Sequence, residues 1–175
     1  MRILLIISFF ISSLLAGGYS MVVPQQVLQE RLSNKFPIVH KTMFLSFHVT
    51  HPVIDLDGKR QRLFFSADVS IPNIQDDKGH AVSAKATLSS RIAYSKGGNL
   101  YVKKIKVVKL ESRHIGKDLR NMLSPAIEEA LNQYFRSRPI YSLKDEKGMV
   151  GAAVQTIKNV VIVEKGVKII FDLGV

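Results

Sequence analysis

Apolar and polar positions recur with two different periods along this chain. The longest helical stretch is Lys117–Arg136, where Leu119, Met122, Leu123, Ala126, Ile127, Ala130, Leu131, Tyr134 and Phe135 follow i, i+3, i+4, i+7 spacing. The spacing predicts a long helix with a wide apolar stripe. Full burial of each large side chain is worth about 1.5–3 kcal/mol, so something must cover this stripe. The strand-like segments on either side are the available cover. Pro125 lies inside the pattern, where it removes a helical hydrogen bond and crowds the preceding turn. With Ser124 as N-cap of a second helical segment, a kink is expected there.

Before the helix the period is two. Pro24–Asn34 reads as a short helix with Val27, Leu28 and Leu32 on one face, ending ahead of Phe36-Pro37. Met43, Leu45, Phe47 and Val49 then alternate with polar residues, Phe44 breaking the pattern, as a strand interrupted at His51-Pro52. After the turn at Asp57-Gly58-Lys59, the residues Leu63, Phe65, Ala67, Val69 and Ile71 form a second strand, closed by Pro72-Asn73. Asp76-Asp77-Lys78-Gly79 turns the chain into a third strand, Ala81–Tyr94. Its inner face carries Val82, Ala84, Ala86, Leu88, Ile92 and Tyr94. A fourth strand, Leu100–Leu110, follows the turn at Ser95–Asn99. It changes phase between Val102 and Ile105, which predicts a β-bulge or sharp twist near Lys103-Lys104.

Beyond the long helix, Arg138–Leu143 reads as extended. Asp145–Ile157 reads as helical, through Met149, Val150, Ala153, Val154 and Ile157. Val160–Val163 and Val167–Leu173 form a hairpin across Glu164-Lys165-Gly166. The expected fold class is therefore α+β: a long curled antiparallel sheet wrapped around a long, kinked helix, with short additional helices.

The formal net charge of +11, from 25 Lys and Arg against 14 Asp and Glu, favours anionic partners. The absence of cysteine excludes disulfides and thiolate metal sites. Met1-Arg2 followed by the apolar run Ile3–Leu15 and the small residues Ala16-Gly17-Gly18 has the form of a secretory signal, cleaved after Gly18 or Ser20. The run is short against the roughly 20 residues of a membrane span. Residues 1–18 are thus expected as a signal peptide and 19–175 as one domain, exported to the periplasm.

The run AYSKGGNLYV, then IEEALNQYF followed by RSRPIYSL, and the ending GVKIIF resemble the YceB-like family of bacterial envelope lipoproteins. Its marker falls on Tyr134, Phe135, Arg138, Pro139, Tyr141 and Leu143. The resemblance implies a fold similar to the tubular lipid-binding (TULIP) domains, with an apolar channel between sheet and helix and a non-enzymatic envelope role. The chain departs from the family at Leu15-Ala16-Gly17, which is followed by Gly18 where a lipoprotein has its acylated Cys. That leaves a soluble form or a tether through an uncleaved signal.

Two candidate sites follow. A lipid or other apolar ligand is expected between Leu45, Phe47, Phe65, Val69, Leu88 and Ile92 of the sheet and Leu119, Met122, Leu123, Ile127, Leu131 and Phe135 of the helix; a close-packed core is the competing outcome. The cluster Lys103, Lys104, Lys106, Lys109, Arg113, Lys117 and Arg120 is a candidate surface for an anionic membrane or a partner protein, and otherwise a solvated face. Arg138 is expected to satisfy carbonyls at the end of the helix, with Tyr141 packing back. Nucleic acid is not expected, since the chain has no Trp and no aromatic-interleaved basic motif. His48 and His51 sit at odd spacing beside a strand and do not make a metal pair; His40, His80 and His114 stand apart. No HExxH, GxSxG, P-loop or GxGxxG occurs, so no reaction, metal or cofactor is expected.

Overall fold

The computed structural model describes residues 19–41, 43, 45–75, 78–95, 97–112, 115–145 and 153–172. The expected signal segment 1–18, together with Thr42, Phe44, Asp76, Asp77, Lys96, Arg113, His114, Met149, Val150 and Leu173, lies outside the described residues.

The described chain is mostly antiparallel sheet. Strand β1 (Tyr19–Pro24) leads into helix α1 (Gln25–Ser33). Then come β2 (Ile38–Lys41), β3 (Ser46–Asp57), β4 (Arg62–Gln75), β5 (Ala81–Tyr94) and β6 (Asn99–Glu111). Helix α2 (Lys117–Phe135) is followed by β7 (Tyr141–Ser142), β8 (Ile157–Val163) and β9 (Gly166–Phe171). Strands β2 to β7 form one six-stranded sheet in sequence order, and β1, β9 and β8 form a separate three-stranded one. A single apolar cluster joins both sheets and both helices.

The period-two reading places the inner faces well. Leu63, Phe65, Ala67, Val69 and Ile71 on β4 and Val82, Ala84, Ala86 and Leu88 on β5 are all buried. Ser90 continues that face as a buried polar residue, its hydroxyl donating to the Leu63 carbonyl at 3.0 Å. Elsewhere the strands differ from expectation. Strand β3 begins at Ser46 and leaves Met43 91% exposed. It runs through His51-Pro52 by a register shift, with His51 at φ +49°. Strand β4 continues past Pro72 to Gln75, also with a shift. Segment β1 was not expected as a strand at all; Met21 and Val23 face inward from it. Of the helix expected over Asp145–Ile157, the described residues form 3₁₀ turns at Leu143–Asp145 and Ala153–Thr156, and Ile157 opens β8; residues 146–152 lie outside the described residues.

The expected architecture of a sheet wrapped around a kinked helix is overturned. A wrapped helix is apolar all round, whereas α2 buries one stripe, Leu123, Ile127, Ala130, Leu131 and Phe135, and leaves Met122 52% exposed. It packs chiefly on β6 at one end of the sheet. No break occurs at Pro125, and α2 runs as one helix from Lys117 to Phe135. Ser124 does not cap a second segment: its hydroxyl donates back to the Arg120 carbonyl at 2.9 Å.

The outermost strands, β2 and β7, are short, with 4 and 2 residues, so among the described residues much of the outer edges of β3 and β6 has no strand partner. The helices take that place. On β3, Gln29 of α1 accepts from the Ile54 N–H at 2.8 Å and donates to the Pro52 carbonyl at 2.6 Å, while Gln25 donates to the Ile54 carbonyl at 3.0 Å. On β6, α2 does the same with other residues. Sheet edges carry a row of backbone groups that need partners, and covering them with a helix is one of the ways to block stray pairing.

Candidate functional site

Strand β6 has two irregularities. Its pairing with β5 steps from Arg91–Lys103 to Ser89–Lys106, with Lys104 at φ +55°, which is the bulge expected from the phase change. A second step, from Leu88–Val107 to Thr87–Lys109, leaves Val108 as an extra residue, 59% exposed. The second bulge returns Leu110 to the core face after Ile105 and Val107.

On the outer edge, β7 pairs only with Asn99 and Leu100. Farther along, Asn132 of α2 donates to the Ile105 carbonyl at 2.9 Å and accepts from the Ile105 N–H at 3.0 Å. One turn earlier on the helix, Glu128 accepts from the Val107 N–H at 2.8 Å through Oε1 and pairs with the Lys106 ammonium at 3.0 Å through Oε2. These two side chains fasten the C-terminal half of α2 to the strand.

Past that fastening, helix and strand separate, and a groove of about 780 Å³ opens between them. It is lined by Val107, Val108, Lys109, Leu110, Glu111 and Ser112 on one side and by Arg120, Asn121 and Ser124 on the other. Consecutive residues line the strand wall. A strand presents alternate residues on each face, so a wall of six in a row is the strand's own backbone edge, not one of its faces.

The electrostatics of this region are cationic with local pairing. Lys109 and Glu111 form an ion pair at 2.7 Å, and the hydrogen bond and charge of Lys109 hold the exposed Glu111 carboxyl below the ordinary glutamate value. Arg120 donates to the Ile115 carbonyl at 3.3 Å. Lys103 lies over the Tyr101 ring at 5.0 Å and donates to the Arg136 carbonyl at 2.7 Å, so it is Lys103, not Arg138, that satisfies a carbonyl at the end of α2. Arg138 instead stacks over the Tyr134 ring at 4.1 Å, and Tyr141 is buried. Of the expected basic cluster, Lys106, Lys109 and Arg120 gather near the groove. Lys103 and Lys104 lie toward the other end of β6, Lys117 is exposed at the start of α2, and Arg113 is outside the described residues.

The expected channel residues come together, but as a filled interior. Phe47, Phe65, Val69, Leu88, Leu123, Ile127, Leu131 and Phe135 are each at most 1% exposed. A side chain bordering a space wide enough for an acyl chain keeps surface that water can touch, and these keep at most 1%. Leu45 and Leu119 pack half-buried at the margin of this core. Half-buried Ile92 borders a separate pocket of about 330 Å³ with Arg60, Gln61, Arg91, Val160 and Ile162. Met122 points away from the interior.

Glu128 and Asn132, which organise the groove, were not singled out from the sequence. A signal was present: they lie four apart on the flank of the apolar stripe, beside Ile127 and Leu131. Among the described residues no group of three or more His, Cys, Asp or Glu could hold a metal ion, and no helix is long and apolar enough to cross a membrane.

Residues 23–166 match the family model DUF1439, described as a protein of unknown function. The chain belongs to the DUF1439 family. The DUF1439 match runs from Val23 in β1 to Gly166 at the start of β9, so it takes in the whole six-stranded sheet, α2 and the groove. A comparison of this DUF1439 chain with curated proteins finds no match.

Proposed function

We propose that this DUF1439 chain is an exported, non-enzymatic envelope protein of the YceB-like kind that acts as a binding module, engaging a partner through the β6–α2 groove and its basic surroundings. The observation that carries this reading is the groove: it runs along a strand edge without a strand partner among the described residues, with Lys109, Glu111 and Arg120 in its walls, while the core beneath is filled. Main-chain groups and cationic side chains suit an anionic, polar-backboned partner. Export rests on the Met1–Gly18 pattern.

The test places a photo-crosslinking residue at Val108 and, as a control, at the exposed Val39 on β2. A protein adduct at 108 that is absent at 39 is the expected result. Equal labelling at both positions, or none at 108, removes the reading.

A second reading has support from Val107, Val108 and Leu110, which give the groove apolar lining. It takes a lipid or other apolar molecule between strand and helix. Native mass spectrometry separates the two: a lipid adduct on the purified protein that exchanges with added phospholipid favours the carrier, and an empty protein favours the module.

A further inference from the structure

We propose that the groove takes an extended, acidic segment of a partner protein as an added strand on β6, antiparallel or parallel to Val108–Glu111. This rests on the binding-module reading above and names the chemistry of its partner.

Three observations converge. The strand wall consists of consecutive residues from Val107 to Ser112, so an occupant meets backbone along its length. Extended peptides bind such edges through main-chain hydrogen bonds, with side-chain pockets supplying selectivity. Next, the edge is already occupied in this manner over its earlier part. Asn132 and Glu128 supply Ile105 and Val107 with the donors and acceptors that a neighbouring strand would offer, and β7 supplies real strand pairing at Asn99 and Leu100. An added strand continues that series where α2 has moved away. Last, Lys109 and Arg120 outnumber Glu111 in the groove walls, and although Lys109 is paired with Glu111 and the neighbouring Lys106 with Glu128, the excess positive charge favours acidic side chains. Val108, 59% exposed, adds an apolar contact, so the fitting sequence alternates acidic and β-branched residues.

Amide-resolved NMR of the purified protein tests this with three blocked peptides of about seven residues. The first alternates glutamate and valine, the second is the same peptide with alternate backbone amides N-methylated, and the third has lysine for glutamate. Vesicles of phosphatidylglycerol serve as a fourth probe. The glutamate peptide is expected to shift the Val108–Glu111 amides and slow their exchange. N-methylation, which removes ladder donors, is expected to weaken binding about tenfold or more, and the lysine peptide is expected to leave the amides unmoved. Lys109→Glu, at an exposed position, should weaken the glutamate peptide while the rest of the spectrum stays unchanged.

Equal binding of the N-methylated peptide overturns strand addition, because charge alone then accounts for it. Shifts caused by vesicles but not by peptide also overturn it, and leave the binding-module reading standing with a membrane as partner. Silence from every probe overturns it as well, while the crosslinking result at Val108 decides the broader reading on its own.

Discussion

Asn132 holds both polar groups of a single backbone unit on another element: its amide donates to the carbonyl of Ile105 and its oxygen accepts from the Ile105 N–H. A side-chain amide has the same donor–acceptor geometry as a peptide group, so it can stand in for a strand neighbour. Asn132→Ala leaves both Ile105 groups without this partner and is expected to cost about 1–3 kcal/mol. Glu128→Gln keeps an acceptor for the Val107 N–H and should cost less than Glu128→Ala. Urea denaturation with a shared slope measures each. A neutral Asn132→Ala would mean that Glu128 and apolar packing hold the helix without Asn132.

The face that α2 presents to the core gives a second test. Leu123 is fully buried and Met122, its neighbour in the chain, is 52% exposed. Leu123→Ala is expected to destabilise by about 2–5 kcal/mol, whereas Met122→Ala should stay within about 0.5 kcal/mol of the parent. Similar losses at both positions would restore a helix surrounded by sheet. Thermal and chemical unfolding of the two variants side by side decides it.

Gly98 turns into β6 with φ +76°, and a Cβ placed there would lie 2.5 Å from Cγ1 of Val154. Gly98→Ala therefore meets both a strained backbone and a clash, and about 1–3 kcal/mol of destabilisation is expected. Adding Val154→Ala relieves the clash and leaves the strain. The double variant should thus be more stable than the sum of the two single changes implies, which a double-mutant cycle reads directly.

The Glu111 carboxyl should titrate below an ordinary glutamate, because Lys109 donates a hydrogen bond to its charged form and adds an attractive charge. The sign follows from the lowered folded value. The pair's contribution to stability is present above the unfolded glutamate pKa and is lost as pH falls through the folded one. The pair is exposed, so high salt should weaken it. A ¹³C carboxyl titration at low and high salt checks this, and Lys109→Ala should move Glu111 back toward the ordinary value.

Much of the sheet was legible because a half-buried strand must alternate. The bounds Ala81–Tyr94 and the bulge near Lys104 follow from where that alternation holds and where it slips. The seat of α2 was not legible for a related reason. An apolar stripe reports that a helix has a buried side, but not which surface covers it, and Met122 fits the spacing while lying outside the contact. The edge fastening depends on polar residues, Gln29, Glu128 and Asn132, whose types are equally common on solvated faces. Strand β1 escaped notice because its short run adjoins the apolar N-terminus, and its inward face is supplied by only three residues, Tyr19, Met21 and Val23. For the candidate site, the basic residues of β6 were found and the groove beside them was not, since a gap between two elements has no periodicity.

Strand β1 pairs along its whole length with β9, from Tyr19 against Phe171 to Pro24 against Gly166. The first described strand of the chain and the last are therefore neighbours, and α1 leads out of that pairing, with the Gln25 N–H donating to the Lys165 carbonyl at 2.8 Å. During synthesis β1 emerges ahead of both helices and every other described strand, and its partner β9 follows all of them. Contacts of such long sequence separation form slowly. The smaller sheet thus sets the moment at which the described fold closes, and a chain cut short ahead of Gly166 leaves β1 without the strand it pairs with.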